Sequence, residues 1–125
     1  MNLFDYKELI DGKPMHIATI NSLNNPNLSV VSDIRVLEVD KIIISVNEMN
    51  NTQRNITYNP NVVLTVFNEE CVGLRMYGKA KFYEDGEYYD FCNKTFFSNS
   101  EVTPFGATKP KGAIVVKLEK IEEFK

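Results

Sequence analysis

The residues best suited to chemistry lie between residues 42 and 67, where an apolar run ends in Ser45-Val46-Asn47 and a polar stretch follows. That stretch contains Asn51 and Thr52 and leads into a predicted helix over residues 52–58. The N-terminus of a helix favours an anion, because its backbone N–H groups are free and its dipole is positive there. With an amide from Asn51 and a hydroxyl from Thr52, the segment predicts a site for a phosphate monoester.

A simpler interpretation accounts for the same residues. Asn51 or Thr52 could serve only as the N-cap, since both residue types accept a hydrogen bond from the first turn of a helix. Polar loops before short helices are common in proteins. The segment taken alone leaves both interpretations open.

The sequence contains few of the residues that hydrolytic or metal chemistry requires. His16 is the only histidine, so a zinc site or a Ser-His-Asp triad would depend on one side chain. The two cysteines, Cys71 and Cys92, are too few for a disulfide framework and lack metal-ligand spacing. We expect reduced thiols and no metal site. Demanding chemistry would therefore need a bound cofactor.

Length and composition limit the class of protein. The chain of 125 residues fits a single domain over residues 1–125, and 43% hydrophobic with 25% charged residues is typical of a globular protein. A net charge of −3 argues against a nucleic-acid partner. The sequence has no apolar run of the ~20 residues that a membrane helix needs, and its first seven residues show neither the basic start nor the apolar core expected of a signal peptide. We expect a cytoplasmic protein with no membrane partner.

The elements that would position these residues are mostly strands. The pattern predicts six strands, at residues 15–20, 28–37, 42–46, 61–67, 74–83 and 113–118, with the last running on toward Phe124. Helices are predicted at residues 5–10, 52–58 and 87–97. Gly78 inside a long strand indicates a bulge or a close backbone approach. The early hairpin spacing favours an antiparallel sheet, which would curl into a barrel to hide its edges.

With these elements in this order, the sequence resembles the pyridoxamine 5′-phosphate oxidase-like family of FMN-binding split barrels. The most specific part is Asn51-Thr52 followed by Asn59-Pro60-Asn61-Val62-Val63-Leu64. Gly78-Lys79-Ala80 inside a strand, then Asp85-Gly86 and a helix, also matches. The resemblance extends from the first strand to the last. It implies a mainly β fold with flanking helices, a six-stranded antiparallel split β-barrel of the FMN-binding type.

The resemblance also implies which residues hold FMN. Asn51 and Thr52 would contact the phosphate, and Ser45, Val46 and Asn47 would lie against the ribityl chain and the ring. The isoalloxazine would be bordered by Val31, Ser32, Asp33 and Ile34. Flavin sites in this family lie at a two-fold dimer interface, so a homodimer is implied. The partner chain would complete each site, with residues 73–76 and 105–111 as candidates.

The sequence departs from the family pattern in two places. The first residue of the phosphate pair is usually Lys or Arg, but here it is Asn51, which removes a charge-assisted contact. Arg54, one helical turn onward, or Arg35 could supply the missing charge. The chain also has no tryptophan and no Trp/Arg-rich segment at its C-terminal end, which argues against the vitamin B6 oxidase activity.

The resemblance therefore implies a flavoprotein that acts as an oxidoreductase or an electron-transfer protein, with the chemistry supplied by FMN. The sequence offers no convincing catalytic acid or base. Two alternatives remain open. One is a non-enzymatic carrier or sensor of flavin or haem, in which His16 is the available axial ligand. The other is a cofactor-free dimeric interaction module, an alternative that Asn51 keeps open.

Overall fold

Seven strands and three α-helices make up the computed structural model, which describes residues 1–47, 50–97 and 110–124. The strands are β1 (Met15–Ile20), β2 (Pro26–Val31), β3 (Ile34–Glu38), β4 (Lys41–Val46), β5 (Asn61–Phe67), β6 (Gly73–Tyr83) and β7 (Gly112–Phe124). The helices are α1 (Lys7–Ile10), α2 (Asn50–Tyr58) and α3 (Glu87–Cys92). The mainly β fold with flanking helices is confirmed.

The prediction of six strands was wrong, because the stretch over residues 28–37 forms two strands. The chain turns at Ser32 and Asp33, where the Ile34 N–H donates to the Ser32 carbonyl at 3.0 Å. The Asp33 carbonyl accepts the Ser45 N–H at 2.8 Å. As a result β2 pairs with β1, whereas β3 pairs with β4.

All seven strands lie in one antiparallel sheet in the order β2-β1-β5-β6-β7-β4-β3. The two end strands, β2 and β3, follow each other in sequence with only Ser32 and Asp33 between them. The sheet must therefore curl until its ends approach. No ladder joins β2 to β3 in the described part of the chain, so the expected barrel is not closed by hydrogen bonds.

The main core lies on the concave face of this curled sheet. Alternate residues of β1 point inward, namely Met15, Ile17 and Thr19, which is the period of a half-buried strand. Every strand and α2 contribute apolar side chains to the same cluster, including Ile34, Ile44, Val46, Ile56, Leu64, Met76 and Ile114. Burial of this apolar surface is the main stabilising contribution to the fold.

A second, smaller cluster lies on the outer face of β4 and β7. It buries Ile43, Cys92, Ala113 and Val115, and aromatic side chains pack around it. Tyr88, Phe91 and Phe96 are among these aromatic residues, so one side of the segment around residue 90 packs against the sheet. That helix is shorter than predicted, because α3 passes into a π-helical turn, Asn93–Phe97.

The remaining helices are short. The predicted helix over residues 5–10 is a 3₁₀ turn, Leu3–Tyr6, followed by α1. Helix α2 begins two residues before the predicted start. Within residues 1–47, 50–97 and 110–124, no helix is long and apolar enough to cross a membrane.

Gly78 marks the irregularity that was predicted in β6. The register between β6 and β7 shifts there, because Tyr77 is opposite Lys120 while Gly78 is opposite Leu118. A Cβ atom on Gly78 would lie 2.4 Å from the Lys117 carbonyl oxygen. The position therefore combines a bulge with a close backbone approach.

Candidate functional site

Two polar pairs attach α2 to the sheet. The helix packs against β1 and β6, and the Asn55 side-chain amide donates to the Thr19 hydroxyl at 3.1 Å. The hydroxyls of Thr52 and Ser29 lie 2.9 Å apart. Because Ser29 is in the middle of β2, this pair sets the first turn of α2 against that strand.

The side chain of Thr52 points into the protein. Thr52 is only 1% exposed, and its hydroxyl is engaged with Ser29. The pair consumes one of the two hydroxyl protons, and the backbone N–H of Thr52 remains a candidate donor to a ligand. Ser29 was not predicted from the sequence, although the alternation of β2 places it on the same face as the buried Val31.

An adjacent face of α2, which also includes Asn55, lines a groove of about 300 Å³ against the turn between β1 and β2. Asn51, Arg54, Asn55 and Tyr58 all contribute to it, at a spacing that puts them on one face of a helix. The first turn of α2 has no acidic residue, and Arg54 is the only charged residue of the helix. Within α2 itself no carboxylate offsets the positive end of the dipole, and Arg54 adds a positive charge to the groove, so the groove suits an anion.

A second polar group forms where β4 ends. The Asn47 side-chain amide donates to the Asp33 carboxylate at 2.9 Å, and the Ser45 N–H donates to the Asp33 carbonyl at 2.8 Å. The structure thus brings together Asp33, which was predicted to border the isoalloxazine, with Ser45 and Asn47, which were predicted to lie against the ribityl chain and the ring. Their contact with a flavin stays a prediction.

Cys92 lies beside this polar group and is buried. Burial raises the pKa of the Cys92 thiol to about 12; a contact with the Ser45 hydroxyl opposes this rise, and the charge of Asp33 adds to it. The thiol therefore stays protonated at neutral pH. A protonated thiol is a poor nucleophile, so Cys92 is a packing residue at this site.

Buried polar atoms without a hydrogen-bond partner occur on β4, on α2 and in the π-helical turn after α3. In the described part of the chain, three buried side-chain atoms have no hydrogen-bond partner: Ser45 Oγ, Gln53 Oε1 and Asn93 Oδ1. The Cys92 sulfur lies near the Ser45 hydroxyl, but the two groups form no hydrogen bond of ordinary geometry. A buried polar atom left unpaired costs about 1–3 kcal/mol, so such atoms indicate where a polar ligand group can be accommodated.

Several predicted residues offer a ligand only their backbone. The side chains of Val31, Ile34 and Val46 are buried in the main core, whereas Ser32 is exposed. Arg35 does not line the groove beside α2, since its guanidinium lies 5.7 Å from the centre of the Phe96 ring. Of the two candidate cations, only Arg54 is at the helix.

The segments proposed to reach a partner's site are only partly described. In residues 73–76, Leu74 and Met76 are buried in the main core, and Arg75 is exposed. Of residues 105–111, positions 105–109 lie outside the described residues. The Lys111 N–H donates to the Val46 carbonyl at 2.7 Å, which places the start of β7 beside the polar group at the end of β4.

His16 lies on the convex face of β1, opposite Val30 on β2 and Thr65 on β5. It therefore points away from Met15 and Ile17, which face the core. Within residues 1–47, 50–97 and 110–124, no cluster of three His, Cys, Asp or Glu side chains is placed to hold a metal.

Comparison with known proteins identifies the family. Residues 6–124 match the family model for pyridoxamine 5′-phosphate oxidase. The chain is also 32% identical over 118 residues to the uncharacterized protein MJ0282 of Methanocaldococcus jannaschii, a match that covers 93% of this chain and 76% of that protein. The chain therefore belongs to the pyridoxamine 5′-phosphate oxidase family, as the sequence resemblance indicated.

Solved structures show the same fold at lower identity. HupZ of Group A Streptococcus superposes with a TM-score of 0.86 at 22% identity, covering 99% of this chain and 94% of that one. An FMN-binding protein from Syntrophomonas wolfei has a TM-score of 0.70 at 22% identity, covering 89% of this chain and 76% of that one. At this level of identity the likeness establishes the fold alone.

Proposed function

We propose that this chain is an FMN-binding flavoprotein that works as a homodimer. Its role would be that of a flavin-dependent oxidoreductase or an electron-transfer protein, and not that of the vitamin B6 oxidase. Membership of the pyridoxamine 5′-phosphate oxidase family supports the proposal, as does the shared fold with the FMN-binding protein from Syntrophomonas wolfei. The free thiols of Cys71 and Cys92 agree with a cytoplasmic location, which is part of the proposal.

The groove beside α2 is the observation that carries the proposal. Asn51 and Arg54 line it together, next to a helix N-terminus with no acidic residue in its first turn. In the proposed complex the FMN phosphate accepts hydrogen bonds from the first-turn N–H groups and from the Arg54 guanidinium. Arg54 thereby supplies the charge that a basic residue at position 51 supplies elsewhere in the family.

In the proposed complex, two unpaired buried atoms on β4 and α2 would face the sugar-alcohol part of the ligand. Gln53 Oε1 is an acceptor without a donor, and Ser45 Oγ is a hydroxyl without a partner. Ribityl hydroxyls can donate to the first and exchange hydrogen bonds with the second. In the proposed complex the ring lies along the backbone from Val31 to Ile34, beside the Asp33–Asn47 pair.

When bound, FMN supplies hydride or electron transfer, for which this chain has no side chain of its own. The role of the protein is to bind FMN and to orient it. The amides of α2 and Arg54 fix one end of the ligand, and the apolar residues Val31, Ile34 and Val46 exclude water from the wall behind it. Asp33 is held in place by Asn47 and the Ser45 N–H.

Spectroscopy and a titration test the proposal. The purified full-length chain should carry, or take up, one flavin per protomer, and FMN should bind more tightly than riboflavin, which lacks the phosphate. Quenching of flavin fluorescence measures both affinities. A chain that quenches neither ligand would overturn the proposal and favour the cofactor-free interaction module. A haem Soret band in place of flavin absorbance would overturn it in favour of a haem protein.

A further inference from the structure

A row of lysines crosses the outer face of the sheet. The register places Lys41 of β4 directly opposite Lys117 of β7, and Lys117 directly opposite Lys79 of β6. Residues that are directly opposite in a ladder project from the same face. Lys117 lies between the core residues Val116 and Leu118, so these three side chains, the lysine row, face away from the main core.

The lysine row is unfavourable for the folded protein by itself. Like charges directly opposite each other on neighbouring strands are destabilising. Glu38 pairs with Lys41 at 3.2 Å. In the described part of the chain, however, neither Lys79 nor Lys117 forms an ion pair. A bound anion would relieve the repulsion between these ammonium groups.

The row continues onto β5 with another hydrogen-bond donor. Asn61 is directly opposite Lys79 and is exposed, so its side-chain amide can donate to a ligand. Neighbouring strands lie about 4.8 Å apart, so the three lysine positions span about 10 Å and all four positions about 14 Å. The donors form a line across β4, β7, β6 and β5. A line of this kind matches a short chain of anionic groups.

Acidic residues at the borders of the row limit the length of the anion. Glu38 of β3 is directly opposite Lys41 and closes that end of the row. Glu119 is exposed and lies two residues beyond Lys117 on β7. Both carboxylates would repel a polyanion that extended past the row. The row therefore favours a small anion over a nucleic acid, in agreement with the net charge of −3.

Lys79 has no role in the proposed flavin site, although it belongs to the Gly78-Lys79-Ala80 motif. Lys81 lies on the same face of β6 but is directed elsewhere. Its ammonium lies 5.3 Å from the centre of the Tyr83 ring, and Tyr83 is further from Lys79 along the strand. Lys81 therefore leans away from the lysine row and is not counted in it.

We propose that the lysine row binds an oligophosphate chain, either free or as part of a nucleotide. The phosphoryl groups lie across the strands and accept charge-assisted hydrogen bonds from Lys41, Lys117 and Lys79. A lysine ammonium suits this task, because it carries three donors on a flexible stem. The inference goes beyond the proposed function, and it does not require a bound flavin.

Calorimetric titration of the full-length chain with tripolyphosphate, at low salt and without flavin, tests the row. Lys117→Gln removes the central ammonium and should weaken binding roughly tenfold or more. Lys13→Gln is the matched control, since Lys13 is also exposed but lies between α1 and β1, and it should bind as the wild type does. Equal binding by the wild type and Lys117→Gln would overturn the row.

Thermal unfolding shows whether the variant is folded. Lys117→Gln removes a repulsion, so without ligand it should unfold at the same temperature as the wild type or higher. Tripolyphosphate should raise the unfolding temperature of the wild type more than that of Lys117→Gln. Lys117→Arg keeps the charge and should retain most of the affinity. Loss of binding in Lys117→Arg as large as in Lys117→Gln would contradict recognition by charge.

Titrations with ATP and adenosine separate the two sources of the oligophosphate. Adenosine should not bind. ATP affinity well above that of tripolyphosphate would assign the row to a nucleotide, and equal affinities would assign it to the chain alone; either result supports the row. Absence of binding by both phosphates would overturn it, as would a loss confined to Arg54→Gln, which would place the ligand beside α2. Failure to bind FMN in a separate titration would refute the proposed function alone.

Discussion

The hydroxyls of Ser29 and Thr52 lie 2.9 Å apart and join the middle of β2 to the first turn of α2. This contact links two segments 23 residues apart in the sequence. With the Asn55–Thr19 pair one turn later, it fixes the direction in which the N-terminus of α2 points. The proposed binding of an anion in the groove therefore depends on hydroxyl and amide pairs behind it.

Removal of the Thr52 hydroxyl should destabilise the fold. Thr52→Val keeps the buried shape but leaves Ser29 without its partner, so the free energy of unfolding should fall by about 1 kcal/mol. Urea denaturation measures the change. Thr57→Val is the control, because Thr57 is exposed on the same helix. A double-mutant cycle with Ser29→Ala should give a coupling energy of the same size, and strictly additive effects would refute the pair.

Arg54 should distinguish FMN from riboflavin. Arg54→Gln removes the only charge of α2, so FMN affinity should fall roughly tenfold or more while riboflavin affinity stays nearly constant. Arg54→Lys should restore part of the loss, and the FMN affinity of the wild type should fall with salt. Lys81→Gln, a change of the same charge on β6, serves as the control. Equal losses for both flavins would place Arg54 away from the phosphate.

The stability of the protein should decrease at alkaline pH because of Cys92. The thiol pKa is about 12 in the folded protein against an ordinary value of 9.0, so the unfolded chain loses this proton first. The contribution of the protonated thiol is fully present below pH 9.0 and is lost as the pH rises toward 12. Unfolding in urea at pH 8 and pH 10 (about one unit either side of the ordinary pKa) should show this decrease.

Cys92→Ala should lower stability at both pH values but remove the part of the alkaline decrease that belongs to the thiol. Cys71→Ser is the control, since Cys71 is exposed. Thiol reagents at neutral pH should label Cys71 in the native protein and reach Cys92 only after unfolding. Rapid labelling of both thiols in the native state would contradict the burial of Cys92.

Gly78→Ala should lower the free energy of unfolding by more than an ordinary glycine substitution does. The new Cβ would lie 2.4 Å from the Lys117 carbonyl oxygen, so β6 and β7 would have to separate, at a cost of roughly 2 kcal/mol or more. Gly12→Ala is the comparison, because Gly12 has a φ of +68° but open space around it. Its cost should be about 1 kcal/mol, from backbone conformation alone. Equal losses in thermal or urea unfolding would refute the close approach.

Local pattern was sufficient for most of the fold. The predicted strands at residues 15–20 and 61–67 match β1 and β5 residue for residue, because alternating apolar positions and flanking turn residues define them. The split between β2 and β3 was not predictable in this way. It depends on which neighbour each segment pairs with, and the bond from Ser45 to Asp33 is set by the whole sheet.

The candidate site was predictable only where its residues are close in sequence. Asn51 and Arg54 are one helical turn apart, and they do line one groove. Ser29 and Gln53 were missed, because their importance arises from partners, or missing partners, across the sheet. The flavin contacts of the predicted residues stay predictions that the titrations above address.

The order of strands has a consequence for how the chain acquires its structure. In the sheet as described, β7 alone connects the half formed by β2, β1, β5 and β6 to the hairpin of β3 and β4. The β1–β2 and β3–β4 hairpins are local and can form early, but no strand joins the two parts of the sheet until β7 pairs between β6 and β4. During synthesis the edges of β6 and β4 that later pair with β7 therefore stay unpaired until β7 has left the ribosome.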